Sequence, residues 1–440
     1  MDDAPPLKQR IYEMLMESQF WPPETMRAYQ CSQLASLLRH ARATVPFYRS
    51  RLDRVFRKDG DIDWERWHEI PLVTRADLRD RRAEMLAAEL PPGHGPAKTF
   101  YSSGSSGIPV AVEVTPLWSH ANRAAADRFH KLHDIDPAKT SASLSTSMKT
   151  EELARKDYFV KSGDDRLHHM ANPGRRLVLN RSLPESRKLD ILAAEGVTYL
   201  FDIPNNAEVT AIANLSRKNP VKLEAIMFNG QGLTKDQRQL FQESFGARSL
   251  PIYSSEEAGI MGFQCTENLH YHLNPETVLV EILGADGQIC EPGRQGRVVV
   301  TPFFSTALPL VRYEQGDSAE IQYHCTCKSG LPVIANISGR QDQFMRFPEG
   351  IRSATGLDQK LIRENLNALA FQIAQVETFK LEFRFVPADT AKEINPDPIV
   401  AQIRKLIHPK LDVVFKPMKE IPLNSGGKHQ RIVCEIAPQS

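Results

Sequence analysis

The sequence predicts an α/β protein: a large N-terminal domain of parallel and mixed sheets with helices and a β subdomain, followed by a small α+β C-terminal domain. Between residues 196 and 300, strand-like runs alternate with helix-like runs, a pattern typical of βαβ units. Residues 278–337 become strand-rich, with turn signals between the runs, and indicate the β subdomain. Beyond residue 339 the pattern alternates again, which predicts a compact α+β module.

Composition excludes several classes of protein. A net charge of +1 over 440 residues gives no electrostatic attraction to nucleic acid or to an acidic membrane. No apolar run approaches the roughly 18 residues of a membrane span, and the N-terminus lacks the basic start and apolar core of a secretory signal. Six cysteines are too sparse for a disulfide scaffold. We therefore expect a cytoplasmic protein with neither nucleic-acid nor membrane partners. A monomer or a homodimer is expected, and the sequence does not distinguish the two.

The first elements of the chain are helical. Residues 7–55 carry apolar residues at helical spacing, and the helix should stop near Val45, because the proline that follows disfavours the α conformation there. Thr74 and Asp77 have the spacing of a helix N-cap. The helical pattern of residues 117–133 predicts another helix. These segments are expected to be scaffold.

The alternating region places two polar turns after predicted strands. Strands are predicted at residues 197–201, 223–228 and 250–253, and helices at 205–218 and 234–245. The turns at residues 229–232 and 254–257 follow two of these strands. Ligands of open α/β sheets bind beyond the carboxyl ends of strands. The two turns are therefore candidate ligand-binding segments.

The serine- and glycine-rich segment at residues 102–107 has the composition of an anion-binding loop. Glycines allow backbone N–H groups to converge on one anion, and serine hydroxyls add donors. A flexible linker is the alternative interpretation. Residues 99–101 and 110–114 favour β structure on both sides, which predicts the tip of a hairpin. The segment is not a Walker A loop, since no Gly-Lys-Ser/Thr closes it.

Four further polar clusters follow this loop, at residues 253–259, 309–317, 339–342 and 422–431. In this order, the five segments resemble the adenylate-forming superfamily of acyl-CoA synthetases, adenylation domains and luciferases. The resemblance is closest to the phenylacetate–CoA ligase-like branch, including its capsule-biosynthesis-type members. It extends over essentially the whole chain. It implies an N-terminal adenylation core at residues 1–340 and a mobile C-terminal domain at residues 343–440, with Asp342 as the hinge.

The resemblance implies a role for each motif. The β- and γ-phosphates of ATP would be held by Ser102, Ser103, Gly104, Ser105, Ser106 and Gly107. Gly230 and Gln231 would flank the adenine, where the family usually has Gly-Glu. Tyr253, followed by Ser254, would stack near the adenine or line the acyl pocket. The carboxylate of Asp317 would accept hydrogen bonds from the ribose hydroxyls.

The remaining roles concern charge. Arg340 would assist the nucleotide, and Lys428 would be the mobile cation of the adenylation step. Attack of a carboxylate on a phosphate brings two anions together, so Mg²⁺ and a positive side chain are needed. Glu257 would bind Mg²⁺, with Glu256 as the alternative because it replaces the usual hydroxyl residue. The sequence also departs from the family at Ile108 and Val110, where relatives often carry a lysine.

Cysteines and histidines indicate a second metal site. Cys325 and Cys327 are two residues apart, and Cys265 is followed by His270 and His272. Three thiolates and one imidazole form a closed tetrahedral site, the usual form of structural zinc. Several members of the branch resemble this arrangement. We prefer His272 as the fourth ligand, with His270 as the alternative. Buried free thiols are the other interpretation.

Three functions are compatible with the motifs. The first is a ligase that uses ATP and Mg²⁺ to convert a small-molecule carboxylic acid, expected to be aromatic, into an acyl-adenylate and then transfers the acyl group to CoA. The second sends the acyl group to an amine or a carrier-protein thiol. The third is a non-catalytic nucleotide-binding relative, which retention of Lys428, Asp317 and Glu257 disfavours. Acid-pocket residues are expected from residues 118–146, from Phe228 and from residues 252–259, although aromatic residues there are equally consistent with packing.

Overall fold

The computed structural model describes residues 6–101, 110–145, 157–161, 174–181, 183–230, 232–322, 325–338, 344–353, 357, 359–387, 394–422 and 430–436. None of the helices among these residues combines the length and the apolar character that a membrane span requires.

Two long helices begin the described chain. Helix α1 spans Leu7–Ser18 and α2 spans Pro23–Thr44, with a proline in the first turn of α2, where its missing N–H costs nothing. α2 ends before Val45, whose backbone is extended because a proline follows. Residues 7–55, expected to be helical, thus form two helices and a short 3-10 turn at Pro46–Tyr48.

Short elements connect these helices to the sheet. Thr74 and Asp77 form a reciprocal capping box at the start of α3 (Arg75–Asp80), and α4 (Arg82–Met85) follows. Strand β1 (Lys98–Tyr101) pairs antiparallel with β2 (Ala111–Val114), which confirms the predicted hairpin on both sides of the Ser/Gly segment. Helix α5 (Pro116–Leu132) follows and is capped by Thr115.

A twelve-stranded mixed sheet forms the centre of the N-terminal region. Its strands are β3 (Ser141–Ser145), β4 (Tyr158–Lys161), β5 (Arg176–Asn180), β6 (Tyr199–Asp202), β7 (Ala225–Phe228), β8 (Arg248–Ser255), β9 (Gly259–Gln264), β10 (Tyr271–Leu273), β11 (Val278–Leu283), β12 (Gln295–Pro302), β13 (Tyr313–Gln322) and β14 (Val333–Ser338). Their order is β11-β12-β13-β14-β10-β9-β8-β7-β6-β3-β5-β4.

The two halves of this sheet differ in strand direction. Strands β5, β3, β6, β7 and β8 run parallel, and their connections include helices α6 (Glu185–Ala194), α7 (Pro204–Leu215) and α8 (Lys235–Phe245). This confirms the predicted βαβ units. From β8 onward the neighbours are antiparallel. The strand-rich residues 278–337 therefore continue the central sheet, and their designation as a subdomain stays a prediction.

The C-terminal residues build a smaller α+β unit with its own apolar cluster. A hairpin of β15 (Phe344–Phe347) and β16 (Gly350–Ser353) precedes helix α9 (Gln359–Leu366). A four-stranded sheet has the order β19-β18-β17-β20 and comprises β17 (Ala368–Glu377), β18 (Lys380–Pro387), β19 (Asp412–Pro417) and β20 (Ile432–Cys434). Helix α10 (Asp397–Leu406) packs its buried isoleucines into the same cluster. The domain boundary and the hinge stay predictions.

A buried ion pair between α5 and Glu276 makes hydrogen bonds to α1 and so connects this helix to the rest of the N-terminal region. Arg128 Nη1 on α5 lies 2.8 Å from Glu276 Oε1, and both side chains are fully buried. Arg128 Nη1 also donates to the Leu15 carbonyl on α1 over 2.9 Å. Ser18, the last residue of α1, donates to the same carboxylate. These hydrogen bonds satisfy a buried charge pair that would otherwise be costly.

Candidate active site and candidate metal centre

The candidate active site lies at the carboxyl ends of the parallel strands β7 and β8. Gly230 comes shortly after β7 and has a φ of 73°, a left-handed conformation that favours glycine. Ser254 is half-buried near the end of β8, and residues 256–258 form the turn into β9. The two candidate polar turns therefore follow adjacent parallel strands, at the edge where α/β sheets bind ligands.

Tyr253 on β8 contacts Asp317 on β13. The buried phenol donates a hydrogen bond of 2.9 Å to Asp317 Oδ2. Strands β9, β10 and β14 lie between β8 and β13 in the sheet order, so the antiparallel half must curl strongly for the two side chains to meet. A carboxylate has about four acceptor sites, so Asp317 can accept hydrogen bonds from hydroxyls besides Tyr253.

The two glutamates of the β8–β9 turn have opposite environments. Glu257 is 2% exposed, whereas Glu256 is exposed to solvent. Arg75 Nη1 lies 3.3 Å from Glu257 Oε1, and Arg75 is the first residue of the capped helix α3. Arg75 carries no local motif and lies 182 residues before its partner, so its role could not be predicted from the sequence. The structure thus holds the Glu257 carboxylate inside and leaves Glu256 outside.

Helix α5 is joined to the same turn. Asn122 Oδ1 accepts a hydrogen bond of 2.7 Å from the Ile260 N–H, and its amide donates to the Trp118 carbonyl over 3.0 Å. Gly259 has a φ of 74°, and a Cβ atom at this position would overlap the Asn122 side chain. Only glycine therefore allows the close approach of this turn to α5. The contact fixes the position of Glu257 relative to the helix.

The aromatic residues near the site differ in burial: some are buried in the core, and one is half-buried. Phe129 and His130 are buried on the inner face of α5, and Phe228 is fully buried and stacks on Phe241 with ring centroids 5.0 Å apart. These three residues therefore pack within the core. Trp118 is half-buried on the helix that contacts the β8–β9 turn and remains the candidate of this group for an acid pocket.

Four sulfur and nitrogen ligand groups converge at the other end of β9. The ligand atoms of Cys265, His272, Cys325 and Cys327 all lie within 4.8 Å of one another. The Sγ atoms of Cys265 and Cys325 are 3.6 Å apart, and Cys327 Sγ is 3.3 Å from His272 Nε2. Zinc bound at about 2.3 Å from sulfur in a tetrahedron requires separations of this size. The residues present therefore fit a zinc ion.

The two histidines near this cluster differ in their contacts. His272 is buried, and its Nδ1 lies 3.4 Å from the Leu331 carbonyl, so a proton on Nδ1 leaves Nε2 as the ligand atom. Burial is the largest of the effects that lower the pKa of His272, to about 4, so the imidazole is neutral at pH 7. His270 Nε2 lies 3.0 Å from Cys325 Sγ and is less buried. The geometry brings His272 into the four-ligand set.

Several candidate site residues lie outside the described residues. These are Ser102, Ser103, Gly104, Ser105, Ser106, Gly107, Gln231, Arg340, Asp342 and Lys428. Residues beside two of these segments are described: Tyr101 ends β1, and Gln430 is the second residue after Lys428.

Comparison with known proteins gives similarity over nearly the full length. No protein-family profile matches the chain. The chain is 24% identical over 448 residues to a phenylacetate–coenzyme A ligase of Thermus thermophilus, covering 94% of this chain and 97% of the relative. The structure of a 2-hydroxyisobutyryl-CoA ligase in the postadenylation state, in complex with R3-HIB-AMP, is 16% identical with a TM-score of 0.73, covering 99% of this chain and 94% of that chain. The same ligase with 2-HIB-AMP and CoA in the thioesterification state, also 16% identical, gives 0.61 over 98% and 94% of the two chains.

Proposed function

The chain is an adenylate-forming enzyme of the phenylacetate–CoA ligase-like branch, and from this premise we propose that it joins a carboxylic acid to coenzyme A at the expense of ATP. In the first step a carboxylate oxygen attacks the α-phosphorus of ATP, the bond to the β-phosphate breaks, and pyrophosphate leaves. In the second step the CoA sulfur attacks the acyl carbon, its proton is lost, and AMP leaves.

The observation that carries this proposal is the placement of Asp317 and Glu257 around the carboxyl end of β8. Asp317 is oriented by the Tyr253 hydroxyl, and Glu257 is buried in the adjoining turn. We assign Asp317 to the ribose hydroxyls, Gly230 and Gln231 to the adenine, and Glu257 to Mg²⁺. Mg²⁺ binds to proteins through one or two carboxylates plus substrate phosphates, so a single buried glutamate fits it. When bound, Mg²⁺ supplies positive charge to the phosphates.

The assignments for the residues outside the described ranges complete the proposal. The serines and glycines of residues 102–107 hold the β- and γ-phosphates and therefore the leaving pyrophosphate. Arg340 and Lys428 supply positive charge to the nucleotide, and residues near Asp342 form the hinge. An aromatic acid is the proposed substrate class, because the curated relatives are named phenylacetate–CoA ligases.

The test is acid-dependent exchange of ATP with labelled pyrophosphate, over a panel of aromatic and aliphatic acids, followed by product analysis with and without CoA. Exchange with an aromatic acid and a CoA thioester as product are expected. Lys428→Ala is expected to reduce exchange by about 100-fold, the scale of one lost group that stabilises developing charge. Wild-type protein without exchange for any acid would contradict the proposal. Exchange without a thioester would instead favour an amine or a carrier-protein thiol as acceptor.

We also propose that Cys265, His272, Cys325 and Cys327 bind structural zinc. The distances among their ligand atoms support this, and a closed four-ligand site leaves no position for a substrate. Purified protein should contain about one zinc ion per chain, as such a site predicts. Cys327→Ser should lose both zinc and thermal stability.

Two further variants sharpen the zinc test. Cys31→Ser, which changes a cysteine outside the cluster, should retain the metal. His272→Ala should lose zinc, whereas His270→Ala should keep it. Wild-type protein without stoichiometric zinc under reducing conditions would refute this assignment.

A further inference from the structure

The C-terminal unit touches the N-terminal region through helix α7 and strand β17. The cleft between them is lined from the helix by Asn205, Glu208, Val209 and Ile212, and from the C-terminal unit by residues 368–371 and Arg431. Most of these side chains are small or apolar. Glu208 and Arg431 are the charged residues of this lining, so they provide the ion pair between the two units.

Glu208 is also held by contacts within the N-terminal region. It lies on α7 and is 4% exposed. Gln237 Nε2, on the first turn of α8, donates to Glu208 Oε2 over 2.9 Å and to Asn205 Oδ1 over 3.1 Å. The Gln237 side chain is itself fixed by the capping box with Thr234. Two helices of the N-terminal region, α7 and α8, thus hold the carboxylate that Arg431 contacts.

Arg431 reaches this carboxylate from the other side. Its backbone belongs to the C-terminal sheet, because its carbonyl accepts a hydrogen bond of 2.7 Å from the Ile373 N–H. Its guanidinium lies over the Phe371 ring, 5.1 Å from the centroid, and forms an ion pair with Glu208. The Arg431 side chain is 17% exposed and that of Glu208 5%. Separation of the two units would break this shielded ion pair, so the pair favours the arrangement in which the two units are in contact.

The position of Arg431 in the chain connects this pair to the proposed chemistry. Lys428 lies three residues earlier in the sequence. Gln372 donates a hydrogen bond of 3.0 Å to the carbonyl of Gln430, the residue before Arg431. The arrangement of the whole chain also fits the postadenylation structure of the 2-hydroxyisobutyryl-CoA ligase better than its thioesterification structure. The contact therefore occurs in a structure whose overall arrangement is more similar to the postadenylation state of that ligase, with TM-scores of 0.73 against 0.61.

We propose that Glu208 and Arg431 form a latch that selects the adenylation arrangement and positions the Lys428 loop on the N-terminal core. They are positioning residues, because they act through Lys428 and through the domain arrangement. This inference rests on the proposed function. It adds that the two half-reactions depend on the pair in opposite directions: adenylation needs it closed, and thioester formation needs it open.

The test measures the two half-reactions separately in Glu208→Gln and Arg431→Gln. The acid is one that supports exchange in the wild-type enzyme. Acid-dependent ATP–pyrophosphate exchange should fall about 5- to 150-fold, the usual range for a coupled conformational equilibrium. Thioester formation from the chemically synthesised acyl-adenylate and CoA should stay unchanged or become faster. The double variant should be no worse than either single variant, since the two changes break one interaction.

The controls separate a latch from a general loss of structure. Glu435→Gln breaks an ion pair with Arg384 that lies wholly within the C-terminal unit, and it should leave both half-reactions unchanged. Equal losses in both half-reactions, or no loss in either, would overturn the latch. Arg431→Gln serves where Glu208→Gln disturbs folding, because it leaves the Glu208–Gln237 hydrogen bond intact. Failure of the proposed function is distinguishable, since the wild-type enzyme would then show no acid-dependent exchange.

Discussion

The assignment of Asp317 to the ribose predicts a specific change in nucleotide selectivity for Asp317→Asn. Asparagine has nearly the same shape and can still accept a hydrogen bond from Tyr253, now 2.9 Å from Oδ2 of the carboxylate. It lacks the negative charge and has fewer acceptor sites. The substitution should therefore leave the fold intact and weaken only the bonds from the ribose hydroxyls.

The magnitude follows from the difference between charged and neutral acceptors. A hydrogen bond to a charged group contributes about 1.5–3 kcal/mol, whereas a neutral one contributes about 1 kcal/mol. Removing the 2′-hydroxyl of ATP should thus lower kcat/KM about 10- to 100-fold in the wild-type enzyme, and only a few-fold in Asp317→Asn. Tyr253→Phe keeps the carboxylate but removes the donor that orients it, so its selectivity should lie between the two.

The assay is acid-dependent pyrophosphate exchange with ATP and with 2′-deoxy-ATP, for each of the three proteins. The ratio of the two kcat/KM values is the relevant quantity, because a general loss of activity cancels in it. A ratio in Asp317→Asn equal to that of the wild-type enzyme would refute the assignment of Asp317 to the ribose.

Two other predictions follow from burial. Glu257→Gln should reduce pyrophosphate exchange by at least about 100-fold and raise the Mg²⁺ concentration needed, since it changes the buried carboxylate beside Arg75. Glu256→Gln changes an exposed side chain, and its exchange rate should stay within about threefold of the wild-type rate. Equal effects of the two substitutions would contradict the prediction. Burial lowers the pKa of His133 from 6.5 to about 4. The stability that this neutral histidine contributes is therefore complete above pH 6.5 and lost as the pH falls toward 4, by up to about 3 kcal/mol. Chemical denaturation at pH 7.5 and 4.5 should show a smaller pH-dependent loss in His133→Gln than in the wild-type protein, and identical losses would disprove it.

The elements that could be predicted from the sequence are those with local signals. The hairpin strands around the Ser/Gly segment, the cap at Thr74 and the parallel βαβ units have such signals, and the structure contains them. Strand β17 has a weaker signal at its start, because residues 368–370 are alanine and leucine, which are also good helix formers. The structure ends the helix at Leu366, and Asn367 has a φ of 48°, a left-handed conformation that asparagine tolerates better than most residues.

Contacts between distant segments could not be predicted in this way. Cys265, Cys325 and Cys327 attract attention as residue types, and His272 is the preferred histidine already in the sequence. The distances that bring His272 to these thiols, however, depend on strand β10 and its register with β9 and β14. The sequence around Arg75 and around Glu208 predicts a helix in each case, but it contains no signal for the distant residue that each side chain contacts. Their partners come from other parts of the chain, and the fold alone brings them together.

Strand β8 explains why these distant contacts meet at one site. It pairs parallel with β7 on one side and antiparallel with β9 on the other, so it belongs to both halves of the sheet. In the parallel half, Gly230 and the β8–β9 turn lie at the carboxyl ends of β7 and β8. The antiparallel half curls, and this brings Asp317 within hydrogen-bond distance of Tyr253. Neither half contains the proposed site by itself. The roles proposed for Glu257 and Asp317 on one nucleotide therefore require both halves to be folded around β8.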